Sequence, residues 1–254
     1  FITYYDESSE LMEKLNHRLK RLSAFICHKI VEQQANEVKS IKTTTFALSL
    51  GDVIRKGYYI EPNYKILSGD MSQDQSLSDV CDLYSDDVDN RIMIRGDPGI
   101  GKSTLLIKLF LDHADYCLKQ KRNRIPFYLS LRGLGGQYQF NINQYITNCF
   151  RDYLKKQIYP CFCEDEIYPV FYIDGFDEFV EPASQVDLSH IAKSEIFSSP
   201  FIATSRKRFA EEKLDSDSST FASRIRILIE LEEWEITRSW DYIEKFCKLH
   251  NNEG

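Results

Sequence analysis

At 254 residues and 43% hydrophobic side chains, the chain is long enough for a sizeable core in one or two domains. Its formal net charge of -7 excludes a strongly basic nucleic-acid-binding protein, so direct nucleic-acid binding is not indicated. Seven cysteines, odd in number and without framework spacing, read as reduced thiols of a cytoplasmic protein, and the CxC of Cys161 and Cys163 lacks a second pair at zinc spacing. No apolar run reaches the ~18 residues that a membrane span needs. The chain opens on Phe1 rather than Met, so it is read as part of a longer protein.

In chain order, residues 8–38 carry Leu11, Leu15, Leu19, Leu22, Ile26 and Ile30 at steps of three and four. That spacing predicts a helix with one apolar face, packed on its own domain. Residues 68–90 hold seven Asp and no Lys or Arg, which predicts a solvated connector between the N-terminal segment (1–67) and the remainder of the chain. Strands are then predicted at Arg91–Arg95, Ile125–Arg132, Pro169–Asp174, Phe201–Thr204 and Ile225–Leu231. Helices are predicted at Ser103–Gln120 and Ile142–Lys156. Strands alternating with helices imply an α/β fold with a parallel sheet covered on both faces, spanning 91–235. A further helix, Ile236–His250, opens a region (236–254) that the sequence does not finish.

The first strand runs directly into Gly96, Asp97, Pro98, Gly99, Ile100, Gly101, Lys102 and Ser103, which match GxxxxGK[ST]. Glycines let the backbone curl its N–H groups around phosphate oxygens, and a helix starting at Lys102 adds its positive end to the same anion. Lys102 is expected at the β/γ-phosphates, Ser103 on Mg²⁺ and Thr104 near the α-phosphate. The strand before and the helix after are the context that this motif requires.

The third predicted strand ends in Asp174, with Asp177 and Glu178 just beyond it. A carboxylate there can hold Mg²⁺ opposite Ser103, and a second can orient or deprotonate water. Asp177 and Glu178 both remain candidates for that second role. The fourth strand ends in Thr204, Ser205 and Arg206, and Arg206 or Thr204 is expected to face the γ-phosphate.

Four segments, GDPGIGKST (96–104), IPFYLSLRGL (125–134), FYIDGFDEF (171–179) and FIATSRK (201–207), together resemble the NACHT family of the STAND class of signalling NTPases. The spacing of Asp174, Gly175 and the Asp177-Glu178 pair carries most of the likeness. The resemblance implies a P-loop NTPase sheet in the order 5-1-4-3-2, with the Thr204 strand between those ending at Arg95 and Asp174. It also implies ATP or ADP with Mg²⁺ as cofactors and an upstream segment closing over adenine, for which Tyr59, Ile60 and Pro62 are the candidates. It implies a switch in innate-immune or antiphage defence that self-associates in the full-length protein in response to an unknown activating ligand. In that class a nucleotide lid with a phosphate-contacting His and a sensor follow the core, and these would lie beyond Gly254. A nucleotide kinase or an AAA+-like motor ATPase is the alternative. A kinase would need a lid arginine cluster, and none is evident; a GTPase would carry an NKxD motif for guanine, and none occurs.

Overall fold

Short apolar runs bounded by turn formers become strands when pairing on both sides satisfies their backbone, and six of them here form one sheet. The computed structural model describes residues 14, 25, 27–41, 49–55, 59–68, 77, 90–120, 124–131, 168–180, 197, 199–215 and 221–251. The expected helix at 142–156, all of the 11–26 part of the first helix except Lys14 and Phe25, the Cys161/Cys163 pair and nearly all of the acidic connector lie outside the described residues. Of the described cysteines, Cys27 and Cys117 are buried and Cys247 is exposed.

The strands are β1 (Asn63–Ser68), β2 (Arg91–Gly96), β3 (Arg124–Ser130), β4 (Tyr168–Asp174), β5 (Phe201–Arg206) and β6 (Ile227–Glu232), in spatial order β1-β6-β2-β5-β4-β3. The five strands from β2 to β6 pair in parallel and have the order that the resemblance implied. The sixth strand, β1, lies beyond the five that the sequence predicts. β1 pairs antiparallel with β6, from Asn63 opposite Glu232 to Ser68 opposite Leu228, with a register shift between Ile66 and Ser68. It covers an edge that a five-stranded core would leave open.

Helix α1 (27–40) buries Ile30, Val31, Ala35 and Val38. Gln34 fastens it to the opposite edge of the sheet: its Nε2 donates to the Tyr128 carbonyl at 3.2 Å and its Oε1 accepts from the Tyr128 N–H at 3.3 Å. A short helix, α2 (Leu50–Arg55), follows. Helix α3 (Lys102–Gln120) lies across β3, β4, β5 and β2 and buries Leu105, Leu106, Leu109 and Phe110. Fully burying each contributes about 1.5–3 kcal/mol relative to exposure.

Strand alternation separates the two faces. Tyr172 meets Phe110 edge-on and brings its hydroxyl to 3.0 Å from His113 Nδ1, so its face is the α3 face. Burial, with the nearby Arg124 charge, pushes the His113 pKa down to about 3, so this ring stays neutral. Ile202 and Ile92 share the Tyr172 row, which turns Phe201, Ala203, Met93 and Arg95 to the other face. There Phe201 joins Phe176, Phe197, Phe209 and Phe221, with Phe176 and Phe221 stacked at 4.8 Å. Phe176 opens helix α4 (Phe176–Val180), and Phe209 lies in α5 (Lys207–Ala210), which continues as a π turn over Glu211–Asp215. Helix α6 (Ile236–Asn251) follows β6. Arg238 on α6 donates to the Glu61 carbonyl at 2.9 Å, while Ile236, Trp240 and Ile243 stay exposed along one side.

Charged side chains also sit in this core. Glu230 on β6 lies opposite Arg95 on β2 and accepts from Arg95 Nε at 2.8 Å; Lys65 and Lys207 each bring Nζ to 3.0 Å from its other oxygen. Burial alone would raise this carboxyl, but hydrogen bonds from Lys65, Lys207 and Arg95 outweigh it and hold the pKa at about 2, against 4.5 for a free glutamate. A depressed carboxylate pKa stabilises the fold above the unfolded-state value and loses that contribution as pH falls through the folded-state value. Acid titration followed by circular dichroism should therefore show stability falling from about pH 4.5 towards 2, and Glu230→Gln should flatten the profile in that window. An unchanged acid slope in the variant would contradict the pairing.

Candidate nucleotide site

Parallel strands followed by helices direct their carboxyl ends to one edge of the sheet, and the candidate residues gather there. Between β2 and α3 the loop turns through Gly99 at φ 83° and Gly101 at φ 99°, a conformation that L side chains rarely adopt. A Cβ at either glycine would meet no heavy atom within 4 Å, so the space beside both is open. The first turn of α3 contains no acidic residue, which leaves its positive end for an anionic ligand. Lys102 Nζ lies inside the loop, donating to the Gly96 carbonyl at 2.7 Å and the Asp97 carbonyl at 2.8 Å. Asp97 and Pro98 are exposed on the outer side, and Ile100, Ser103 and Thr104 are half-buried. An open glycine loop, a helix start without acidic residues and a cation bonded to the loop carbonyls fit a chain of phosphates.

Asp174 ends β4 and is buried. Its Oδ1 accepts from Ser103 Oγ and from Thr204 Oγ1, each at 2.8 Å, and its Oδ2 lies 3.5 Å from the Tyr128 hydroxyl. Thr204 also accepts from the Gly175 N–H at 3.1 Å. The two residues expected on Mg²⁺ are thus in direct contact. Hard oxygen donors from one hydroxyl and one carboxylate suit Mg²⁺, which commonly takes few protein ligands and completes its shell with phosphate and water. When bound, the ion would supply charge neutralisation at the β- and γ-oxygens.

Asp177 and Glu178 stand in the first turn of α4. Asp177 is buried, Glu178 half-buried, and Arg206 spans both: Nε lies 3.1 Å from Asp177 Oδ2 and Nη2 3.7 Å from Glu178 Oε1. Burial raises the Asp177 pKa, and this outweighs the lowering by the backbone N–H groups of Asp177 and Arg206 and by the guanidinium. A carboxylate raised in this way is a better proton acceptor than an ordinary aspartate. Arg206 or Thr204 is the residue expected to face the γ-phosphate. In the structure Arg206 holds the acidic pair, and Thr204 is engaged with Asp174 and Gly175.

The three base-contact candidates separate. Tyr59 is half-buried against the core, with Lys108 Nζ of α3 5.9 Å from its ring centre. Ile60 is half-buried. Pro62 lines a cavity of about 400 Å³, together with Glu61, Asn63, Tyr64, Glu232, Glu235 and Arg238. Tyr128 at Asp174 and the Arg95–Glu230 pair were not anticipated. Tyr128 lay within an apolar strand run, and nothing local marks which of its residues faces a carboxylate.

A glycine loop joining strand to helix, with a hydroxyl from that helix on the carboxylate ending another strand, defines a P-loop NTPase. Residues 90–246, more than half the chain, match the NACHT domain. The chain belongs to the NACHT family of P-loop NTPases, within the STAND class. No curated protein matches it in sequence. Two solved structures to which it is similar are AMPPCP-bound DnaA from Aquifex aeolicus and PCH-2 from C. elegans. The first is 23% identical at a TM-score of 0.38 and covers 63% of this chain and 46% of its own; the second is 13% identical at 0.36 and covers 70% and 50%. The chain thus spans about half the length of each. Among the described residues, no helix is long and apolar enough to cross a membrane.

Proposed function

We propose that the chain is the ATP-binding, slowly hydrolysing module of a cytoplasmic signalling switch, which self-associates in the full-length protein and serves innate-immune or antiphage defence. The observation that carries its nucleotide chemistry is the contact of Ser103 and Thr204 with one buried carboxylate, Asp174, at the mouth of the glycine loop. In this reading Gly96–Gly101 and Lys102 bind the phosphates, Thr104 lies near the α-phosphate, and Ser103 and Asp174 hold Mg²⁺. Asp177, helped by Glu178, orients water and takes its proton, and Arg206 steadies the acidic pair before the γ-phosphate arrives. Tyr59, Ile60 and Pro62 border the base. The switch and defence roles rest on family membership, since a switch needs two packings of unequal nucleotide affinity.

Phosphate release from ATP with Mg²⁺, measured without any acceptor, tests the reading. Turnover on the order of 10⁻² s⁻¹ or slower is expected, as for regulatory P-loop NTPases acting without a partner. Turnover that appears only on adding a phosphate acceptor would replace the switch with a nucleotide kinase.

A further inference from the structure

Residues 206 and 207 are consecutive, yet their side chains serve different parts of the molecule. Arg206 turns to Asp177 and Glu178 on α4. Lys207 turns to Glu230, with Nζ 3.0 Å from Oε1. The other Glu230 oxygen accepts from Arg95 Nε at 2.8 Å, and Arg95 directly precedes Gly96, where the glycine loop begins. Lys65 of β1 lies 3.0 Å from Glu230 Oε1, and Arg95 Nη2 lies 3.8 Å from Glu211 beyond α5. One buried carboxylate therefore joins the strand leading into the phosphate loop, the junction that presents Arg206 and the edge strand that follows Pro62.

An apolar pair would fill the same space between β2 and β6. Ion pairs in a core add little net stability over apolar packing, but they fix geometry, because a slip by one residue would bury each charge without its partner. Arg95 opposite Glu230 thus pins β2 on β6, and Lys207 pins the β5–α5 junction to the same point. We propose that Glu230 is a positioning residue for the nucleotide site, holding the glycine loop and the Arg206 junction at fixed spacing so that Arg206 meets the acidic pair. This rests on the reading of the chain as nucleotide-hydrolysing.

The test uses the 254-residue chain with Glu230→Gln and Lys207→Met, each alone and combined with Arg206→Ala. Lys207 is partly exposed, so its variant keeps the test readable should Glu230→Gln fail to fold. Single-turnover ATP hydrolysis should slow about tenfold in either single variant, because a misplaced group costs rate, while calorimetric ADP affinity changes by less than about threefold. In the Arg206→Ala background the added variant should change turnover by less than about twofold, since Glu230 acts through Arg206. Slowdowns that multiply would overturn the proposal and leave Glu230 a register pin alone. Without nucleotide, hydrogen exchange should rise together at residues 94–101 and 205–211 and stay at the wild-type level at 110–120. A rise confined to β6 would overturn it as well. A wild-type chain with no turnover would sink the hydrolytic reading by itself, and the exchange measurement would then decide whether Glu230 sets the spacing.

Discussion

Lys102→Ala is expected to weaken binding of ATP with Mg²⁺ by about 10- to 100-fold, the worth of a charge-assisted hydrogen bond to phosphate. The ammonium now bonds the Gly96 and Asp97 carbonyls and so already occupies the base of the loop. A phosphate entering the loop meets that charge without a large rearrangement, which keeps the cost of binding low. Lys102→Arg is the matched control, since a planar fork keeps the charge but not the shape of the point donor. Calorimetric titration reads both, and an alanine variant with wild-type affinity would remove the glycine loop from the phosphate-binding role.

Asp177→Asn combined with Glu178→Gln is expected to retain ATP and lose turnover by about 10²- to 10⁴-fold, the usual contribution of a positioned base. Both amides keep the shape that Arg206 spans, so α4 stays in place while the proton acceptor is gone. Asp174→Asn separates the roles. Its carboxylate receives Ser103 and Thr204, so this variant should reduce the Mg²⁺ dependence of binding, whereas the 177/178 pair should leave it intact. The raised Asp177 pKa adds a pH signature: the acid limb of turnover should lie above the range of an ordinary aspartate. A double amide variant that hydrolyses ATP at the wild-type rate would show that the proton goes elsewhere.

Local features were legible in the residues alone. Gly99, Gly101 and Lys102 announce an anion loop because backbone curvature and the start of a helix are set by neighbours in sequence. The five apolar runs declared a parallel sheet because strands buried on both faces are continuously hydrophobic. Asp174 stood out as a charge ending such a run. The strand order came from the family likeness, because no pattern within a strand specifies its neighbour.

Tertiary structure decided the partners. Glu230 and Arg95 are 135 positions apart, and nothing in the sequence links them; only the β2–β6 register makes them a buried pair. That Arg206 follows a strand end marks it in the sequence, but only the placement of α4 brings a buried aspartate within 3.1 Å of its exposed guanidinium. Residues 63–68 had no strong alternation, so their strand exists because β6 offered an unpaired backbone edge for them to satisfy. Sequence spacing determined which chemistry the chain carries, since that chemistry lies within single turns and strand ends. Packing determined which charges meet, since the energy of a buried charge depends on neighbours that only folding supplies.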